Sequence, residues 1–161
     1  MEQETLNNDK SVLLENAKAV LAKLAKNNNL SFLFFCLLMA ILLVCIMVKR
    51  YDLVAQLIYS VMYVAYVLIG FHITSWVGKT VKAVDVNELL SVYDKNIRID
   101  KTITTIFGVI AALLLFFFLF KDMKEYSLFL ITALAFGSHM RGVRRIGSEI
   151  EKLRDAEQQK D

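Results

Sequence analysis

Two histidines are the side chains of this sequence best suited to bind a cofactor. His72 and His139 are its only histidines, and each stands two residues after a glycine. Paired histidines on facing helices can hold a haem iron or another metal. Alternatively, each caps its helix or makes one hydrogen bond to a neighbouring helix. Two histidines alone are not a specific haem motif, so we predict no cofactor and no metal site and keep both residues as candidates.

A stripe of polar-edged side chains is the second feature that could carry chemistry. Gln56, Tyr59, Tyr63 and Tyr66 follow a helical spacing, so they share one face of one helix. In apolar surroundings their polar atoms must find partners, either on neighbouring helices or in the water of a narrow pore. Of these two alternatives, we favour hydrogen bonds between helices.

Small residues recur every four positions further along the chain. Thr104, Gly108 and Ala112 form one such ladder, and Ala133 and Gly137 form a shorter one. This spacing lets membrane helices approach each other closely. The ladders therefore predict helix-packing contacts, either within the chain or with a second copy of it.

Several function classes lack their usual sequence signals. The sequence contains no Gly-rich phosphate loop, HExxH, nucleophile elbow or CxxC motif. Its net charge of +3 is too small to indicate a nucleic-acid partner. We therefore predict that the protein is not an enzyme, that it has no catalytic residues and that it binds no nucleic acid.

Four apolar runs must position the candidate residues. They cover residues 30–48, 53–77, 103–120 and 126–140, and none contains Asp, Glu, Lys or Arg. About 20 apolar residues cross the hydrocarbon core of a bilayer as a helix. The fourth run is shorter, but a joint of five residues ties it to the third, and the arginines after it can extend a span by snorkelling. The sequence predicts an all-α membrane protein with two transmembrane hairpins, 30–77 and 103–140.

Three amphipathic segments flank the hairpins, at residues 1–29, 78–102 and 141–161. Asp85 and Glu88 predict a helix-capping box in the middle segment. Asparagines at 27–29 predict a loosened chain before the first span, with Ser31 as a cap, and residues 96–100 are expected to end the middle helix. The first and last segments carry apolar seams: Leu13, Ala17, Val20 and Leu24, widened by Leu14 and Leu21, and then Val143, Ile146, Ile150 and Leu153. An Arg145–Glu149 ion pair is expected beside the second seam.

Positive charges predict the orientation. The three flanking segments hold 15 Lys and Arg residues, whereas the two joints, 49–52 and 121–125, hold 4. Segments rich in Lys and Arg stay in the cytoplasm. With four crossings, both termini are therefore predicted to be cytoplasmic, and a bacterial inner membrane is the default location.

The preferred functional hypothesis is a small integral membrane interaction or regulatory subunit. Its cytoplasmic helices would be presented to a protein partner or to a copy of the chain, because the two seams lie on that side. The alternative is that the two seams pack on each other, which would weaken this hypothesis. One alternative is an oligomeric channel or small-solute transporter lined by the Gln56–Tyr66 stripe. Another is a haem- or metal-binding four-helix membrane bundle that uses His72 and His139.

Overall fold

The computed structural model describes residues 2–49, 52–120 and 126–158, without the side chains of residues 2–11, 13, 49 and 157. The described chain forms four helices: α1 (Glu2–Lys49), α2 (Leu53–Lys82), α3 (Val86–Phe120) and α4 (Tyr126–Gln158). The prediction of an all-α bundle is confirmed. Within the two predicted joints, residues 50–51 and 121–125 lie outside the described residues.

Consecutive helices run antiparallel, and α4 packs against α1 to close the bundle. The Tyr59 hydroxyl donates to the Met39 carbonyl at 3.1 Å, whereas Thr74 bonds to Asn29 at 3.0 Å, so residue numbers rise along α2 as they fall along α1. The α1–α4 contact includes a hydrogen bond of 2.9 Å between the hydroxyls of Ser31 and Ser138. Further contacts join α2 to α3, α3 to α4, and α2 diagonally to α4.

Stacked rings form the centre of the bundle. Phe118 of α3 and Phe129 of α4 stack with ring centroids 4.6 Å apart, and Phe107 and Phe136 repeat this pairing at 5.8 Å. Tyr59 and Tyr66 of α2 meet Phe129 and Phe136, respectively, edge to face. Offset-stacked and edge-to-face contacts are the favourable arrangements of aromatic pairs. The apolar half of α4 is thus fixed beside the apolar parts of α2 and α3.

Large apolar side chains cover the outside of the bundle. They are exposed on all four helices; on α4 they include Leu130 and Leu134, and on the other helices Leu33, Leu37, Leu57, Leu68, Val109 and Leu113. We call this surface the apolar belt. Within the described chain, α1, α2 and α3 are long and apolar enough to cross a membrane. A water-facing surface of this kind would be unusual for a monomeric protein.

The predicted interruptions at 27–29 and 96–100 are wrong, because α1 and α3 continue through them. Asparagine weakens a helix by less than about 1 kcal/mol per residue. Tertiary contacts offset this cost here: Asn29 accepts a hydrogen bond from Thr74 of α2, and Ser31, expected to be a cap, bonds to Ser138 in mid-helix. The predicted cap is confirmed at the start of α3, where Asp85 accepts from the Glu88 N–H at 2.7 Å. The reciprocal bond differs by one residue, because the Glu88 carboxylate accepts from the Val84 N–H at 2.7 Å.

The two predicted seams pack inside the bundle. Val143, Ile146, Ile150 and Leu153 are all buried in the core. On α1 Leu21 is buried and Leu14, Ala17 and Leu24 pack against the core, as predicted, whereas Val20 is exposed. The expected Arg145–Glu149 pair is also wrong, because Glu149 pairs with Lys152 at 2.6 Å. The side chain of Leu13 lies outside the described residues.

A glycine allows α1 and α2 to approach closely. A Cβ atom added at Gly70 would overlap the ring of Phe32, which is itself buried. A Cβ atom added at Gly78, two turns further along α2, would meet no atom within 4 Å. The two positions therefore form a matched pair for testing this contact.

We expect Gly70→Ala to lower the free energy of unfolding by about 1–3 kcal/mol, because the added methyl group must displace a packed ring. Gly78→Ala should be neutral, or stabilise by up to about 1 kcal/mol through the higher helix propensity of alanine. Chemical denaturation in detergent, followed by circular dichroism, measures both. Equal stabilities of the two variants would contradict the close contact at Gly70.

Candidate functional site

A buried carboxylate joins α2 to α3 at the edge of the apolar belt. Asp100 is only 2% exposed and lies three residues before the apolar run 103–120. Its Oδ1 atom is 2.9 Å from His72 Nδ1, and its Oδ2 atom accepts the indole N–H of Trp76. His72 and Trp76 lie one turn apart on the same face of α2, so both reach one carboxylate. We call Asp100, His72 and Trp76 the carboxylate lock.

The carboxylate lock also orients the imidazole of His72. The hydrogen bond between Asp100 Oδ1 and His72 Nδ1 fixes the direction of the ring. The His72 side chain is 49% exposed, whereas its partner Asp100 is buried. The arrangement can therefore hold two helices together and keep one histidine at the surface in a fixed orientation.

His139 lies in different surroundings. It is buried, with its ring 5.8 Å from that of Tyr66 and 6.2 Å from that of Phe32. Its Nε2 atom has no hydrogen-bond partner among the described residues. His72 is engaged by Asp100, whereas His139 is enclosed by aromatic rings. In the part of the chain that the structure describes, no three His, Cys, Asp or Glu side chains converge as metal ligands would.

The predicted polar stripe lies mostly inside the bundle. Tyr59 and Tyr66 are 0% and 1% exposed, and Gln56 and Tyr63 are half-buried. The Tyr59 hydroxyl donates to the Met39 carbonyl of α1. The two buried tyrosines pack against phenylalanine rings of α4. The stripe therefore contributes both an interhelical hydrogen bond and ring packing.

The small-residue ladders are only partly inside the bundle. Thr104 is buried, Gly108 and Ala133 are half-buried, and Ala112 and Gly137 are exposed. A Cβ atom on Gly108 would lie 3.9 Å from the Cβ atom of Phe136, which is an ordinary contact. Packing of the exposed members against a second copy stays a prediction.

A cluster of polar contacts ties α3 to α4 beyond the apolar belt. Arg154 donates to Asp94 at 2.5 Å, and the Tyr93 hydroxyl donates to Glu151 at 3.4 Å. Burial, followed by the negative charge of Glu151, raises the pKa of Tyr93 to about 12. Tyr93 therefore remains a neutral hydrogen-bond donor at physiological pH.

A polar cleft of about 210 Å³ lies between α1 and α4. Asn28, which is 7% exposed, forms part of its wall. A Cβ atom at position 142 would overlap the Oδ1 atom of this asparagine, so Gly142 is what allows the side chain to lie there. The cleft is lined by Leu24, Asn27, Asn28, Ser31, Ser138, Arg141, Gly142 and Arg145.

Sequence reasoning missed both the carboxylate lock and the polar cleft. It treated Asp100 as the end of a helix and considered His72 only together with His139. The spacing of His72 and Trp76 was an available signal, but their common partner on α3 could be found only with the register between the two helices. Comparisons with protein-family models, curated proteins and solved structures gave no match.

The carboxylate lock predicts a large effect of one substitution. Asp100→Ala should lower the free energy of unfolding by on the order of 3 kcal/mol, because it leaves a buried indole N–H without its acceptor. Asp94→Ala removes an exposed carboxylate of the same helix and should cost less than about 1 kcal/mol. Denaturation in detergent compares the two variants. Similar losses would show that the lock adds no more stability than a surface ion pair.

Proposed function

We propose that the protein is a four-span membrane protein of the cell inner membrane with both termini in the cytoplasm. The apolar half of α4 has only 15 residues, 126–140, but it packs beside spans long enough to cross. The Phe118–Phe129 and Phe107–Phe136 stacks support this reading, because they keep α4 level with α3 along its apolar run. On this proposal the chain crosses as two hairpins, 30–77 and 103–140.

The orientation is supported by a ring of exposed cations where the apolar belt ends. All four helices contribute to this basic collar, which consists of Lys26, Lys79, Lys82, Arg98, Lys101, Arg141, Arg144 and Arg145. Cationic side chains at this level favour the cytoplasmic leaflet, whose surface carries anionic lipids. The collar therefore faces the cytoplasm, together with both chain ends.

In this orientation the protein serves as an interaction or regulatory subunit rather than as an enzyme. The observation that carries this proposal is that α1, α3 and α4 pass without a break from the apolar belt into a shared charged bundle. We call residues 12–26, 86–101 and 141–158 the stem. Its α4 part alone projects roughly 25 Å at 1.5 Å per residue. Such a projection offers a partner, or a second copy, a rigid surface fixed to the membrane.

The packing of the stripe favours this function over a channel. Tyr59 and Tyr66 fill the centre of one bundle with their rings, so a pore formed between copies would not be lined by them. The separate surroundings of the two histidines similarly give little support to a haem held between them. Ion flux through liposomes tests the channel alternative.

Cysteine labelling tests the four crossings. After Cys36 and Cys45 are replaced by alanine, single cysteines are introduced at Leu53, Val84 and Asp155, which are all exposed. We expect an impermeant maleimide to label L53C in intact spheroplasts, and V84C and D155C only after permeabilisation. Labelling of D155C in intact spheroplasts would mean that α4 does not cross and that the chain has three spans.

Site-specific photocrosslinking tests the interaction function. A photoreactive residue at Val20, which is exposed on the stem, should give a discrete protein adduct in native membranes. The same residue at Leu113, which is 65% exposed on the apolar belt, should react mainly with lipid and serves as the control. The mass of the adduct distinguishes a second copy from another protein. Equal results at both positions, or ion flux through liposomes that carry the purified protein, would overturn the proposal.

A further inference from the structure

The polar cleft between α1 and α4 offers hydrogen-bond donors from both helices. The hydroxyls of Ser31 and Ser138 are 2.9 Å apart, and one hydrogen suffices for the bond between them. The other hydroxyl can therefore donate to a ligand. The side-chain amides of Asn27 and Asn28 add further N–H groups to the same lining. No carboxylate is among the lining residues, so the cleft is suited to an anion.

Two arginines at the cleft add positive charge that the described residues leave uncompensated. Arg141 and Arg145 are one turn apart on α4 and both line the cleft. Glu149 lies one turn beyond Arg145, but it pairs with Lys152 at 2.6 Å. Neither arginine has an ion-pair partner within the described chain. Guanidinium groups bind phosphate oxygens through two parallel N–H bonds, which makes arginine the preferred side chain for that anion.

The wall of the cleft is set by helix packing rather than by mobile surface chains. Asn28 is held against the backbone of α4 at a glycine, where any side chain would overlap it. Ser31 and Ser138 are half-buried at the neighbouring turn of the same two helices. One turn from the two serines, on the same helix faces, the apolar side chains of Phe34 on α1 and Leu134 on α4 are exposed on the belt. A ligand bound here would therefore sit where headgroups meet hydrocarbon.

We propose that this cleft binds a phosphate group, and specifically that of an anionic phospholipid in the cytoplasmic leaflet. Arg141 and Arg145 bind the phosphate oxygens, and the serine hydroxyls and asparagine amides supply further hydrogen bonds. The acyl chains then lie along the apolar belt beside α1 and α4. The lipid as the source of the phosphate rests on the membrane placement proposed above. A soluble phosphate ion offers the same chemistry and is a separate arm of the test.

The test follows the thermal unfolding of the full-length protein in a neutral detergent. Phosphatidylglycerol should raise the midpoint of unfolding saturably, whereas phosphatidylcholine should not. Arg145→Gln should raise the half-saturating concentration of phosphatidylglycerol at least tenfold, because a charge-assisted hydrogen bond is lost. Arg144→Gln is the control, because it removes the same charge from an adjacent exposed position that does not line this cleft. It should change the half-saturating concentration of phosphatidylglycerol less than twofold.

Inorganic phosphate is titrated in parallel to identify the source of the anion. A response to phosphatidylglycerol alone assigns the site to the lipid. A response to inorganic phosphate that Arg145→Gln removes supports the phosphate site but overturns its assignment to a lipid. Equal half-saturating concentrations for Arg144→Gln and Arg145→Gln would overturn the site itself. So would equal shifts of the unfolding midpoint by the two lipids. These outcomes are independent of the photocrosslinking result, because the titration needs no protein partner.

Discussion

The aromatic contacts of α4 determine how the rest of the chain can be arranged. Phe129 and Phe136 stack on phenylalanines of α3 and receive the edges of Tyr59 and Tyr66 from α2. These contacts lie in the 15-residue apolar run 126–140, the shortest of the four. Because α4 is held by its neighbours at both ends of that run, the remainder of the helix is directed along α1 and α3. The buried seam, the Arg154–Asp94 pair and the polar cleft all depend on this placement.

Much of the fold could be predicted from local sequence patterns. Uninterrupted apolar runs identify helices without reference to any other part of the chain, and the capping box at Asp85 needs only residues within one turn. The predicted helix breaks at 27–29 and 96–100 were wrong because contacts with other helices, rather than local preference, decide the structure there. Asparagines 27–29 weaken a helix by small amounts, and contacts with Thr74 and with the backbone at Gly142 outweigh that local preference.

The candidate sites depend on the register between helices, which local patterns do not contain. His72 and Trp76 share a face of α2, but only the alignment of α3 brings Asp100 to both. The polar cleft similarly combines Asn28 and Ser31 of α1 with Ser138 and two arginines of α4, which are more than 100 positions away. Local patterns also do not show which edge of an apolar stripe is buried: the stripe on α1 contains both Val20 and Leu21, and only Leu21 lies in the core.

Polar side-chain interactions are concentrated where the bundle leaves the apolar belt. The carboxylate lock and the polar cleft both lie at the level of the basic collar, whereas the bundle centre consists largely of stacked and edge-on rings. A buried carboxylate or amide in hydrocarbon would be costly without partners. At this level neighbouring helices supply those partners.

Trp76 is the only tryptophan of the chain, and its indole N–H is bound by Asp100 while its ring lies 6.2 Å from that of Tyr93. Its intrinsic fluorescence therefore originates at a single position, the contact of α2 with α3. Changes in tryptophan fluorescence on unfolding or on binding can be attributed to that contact without introducing a label. Trp76, held in place by the buried carboxylate of Asp100, is thus a natural fluorescent probe at the boundary between the apolar belt and the stem.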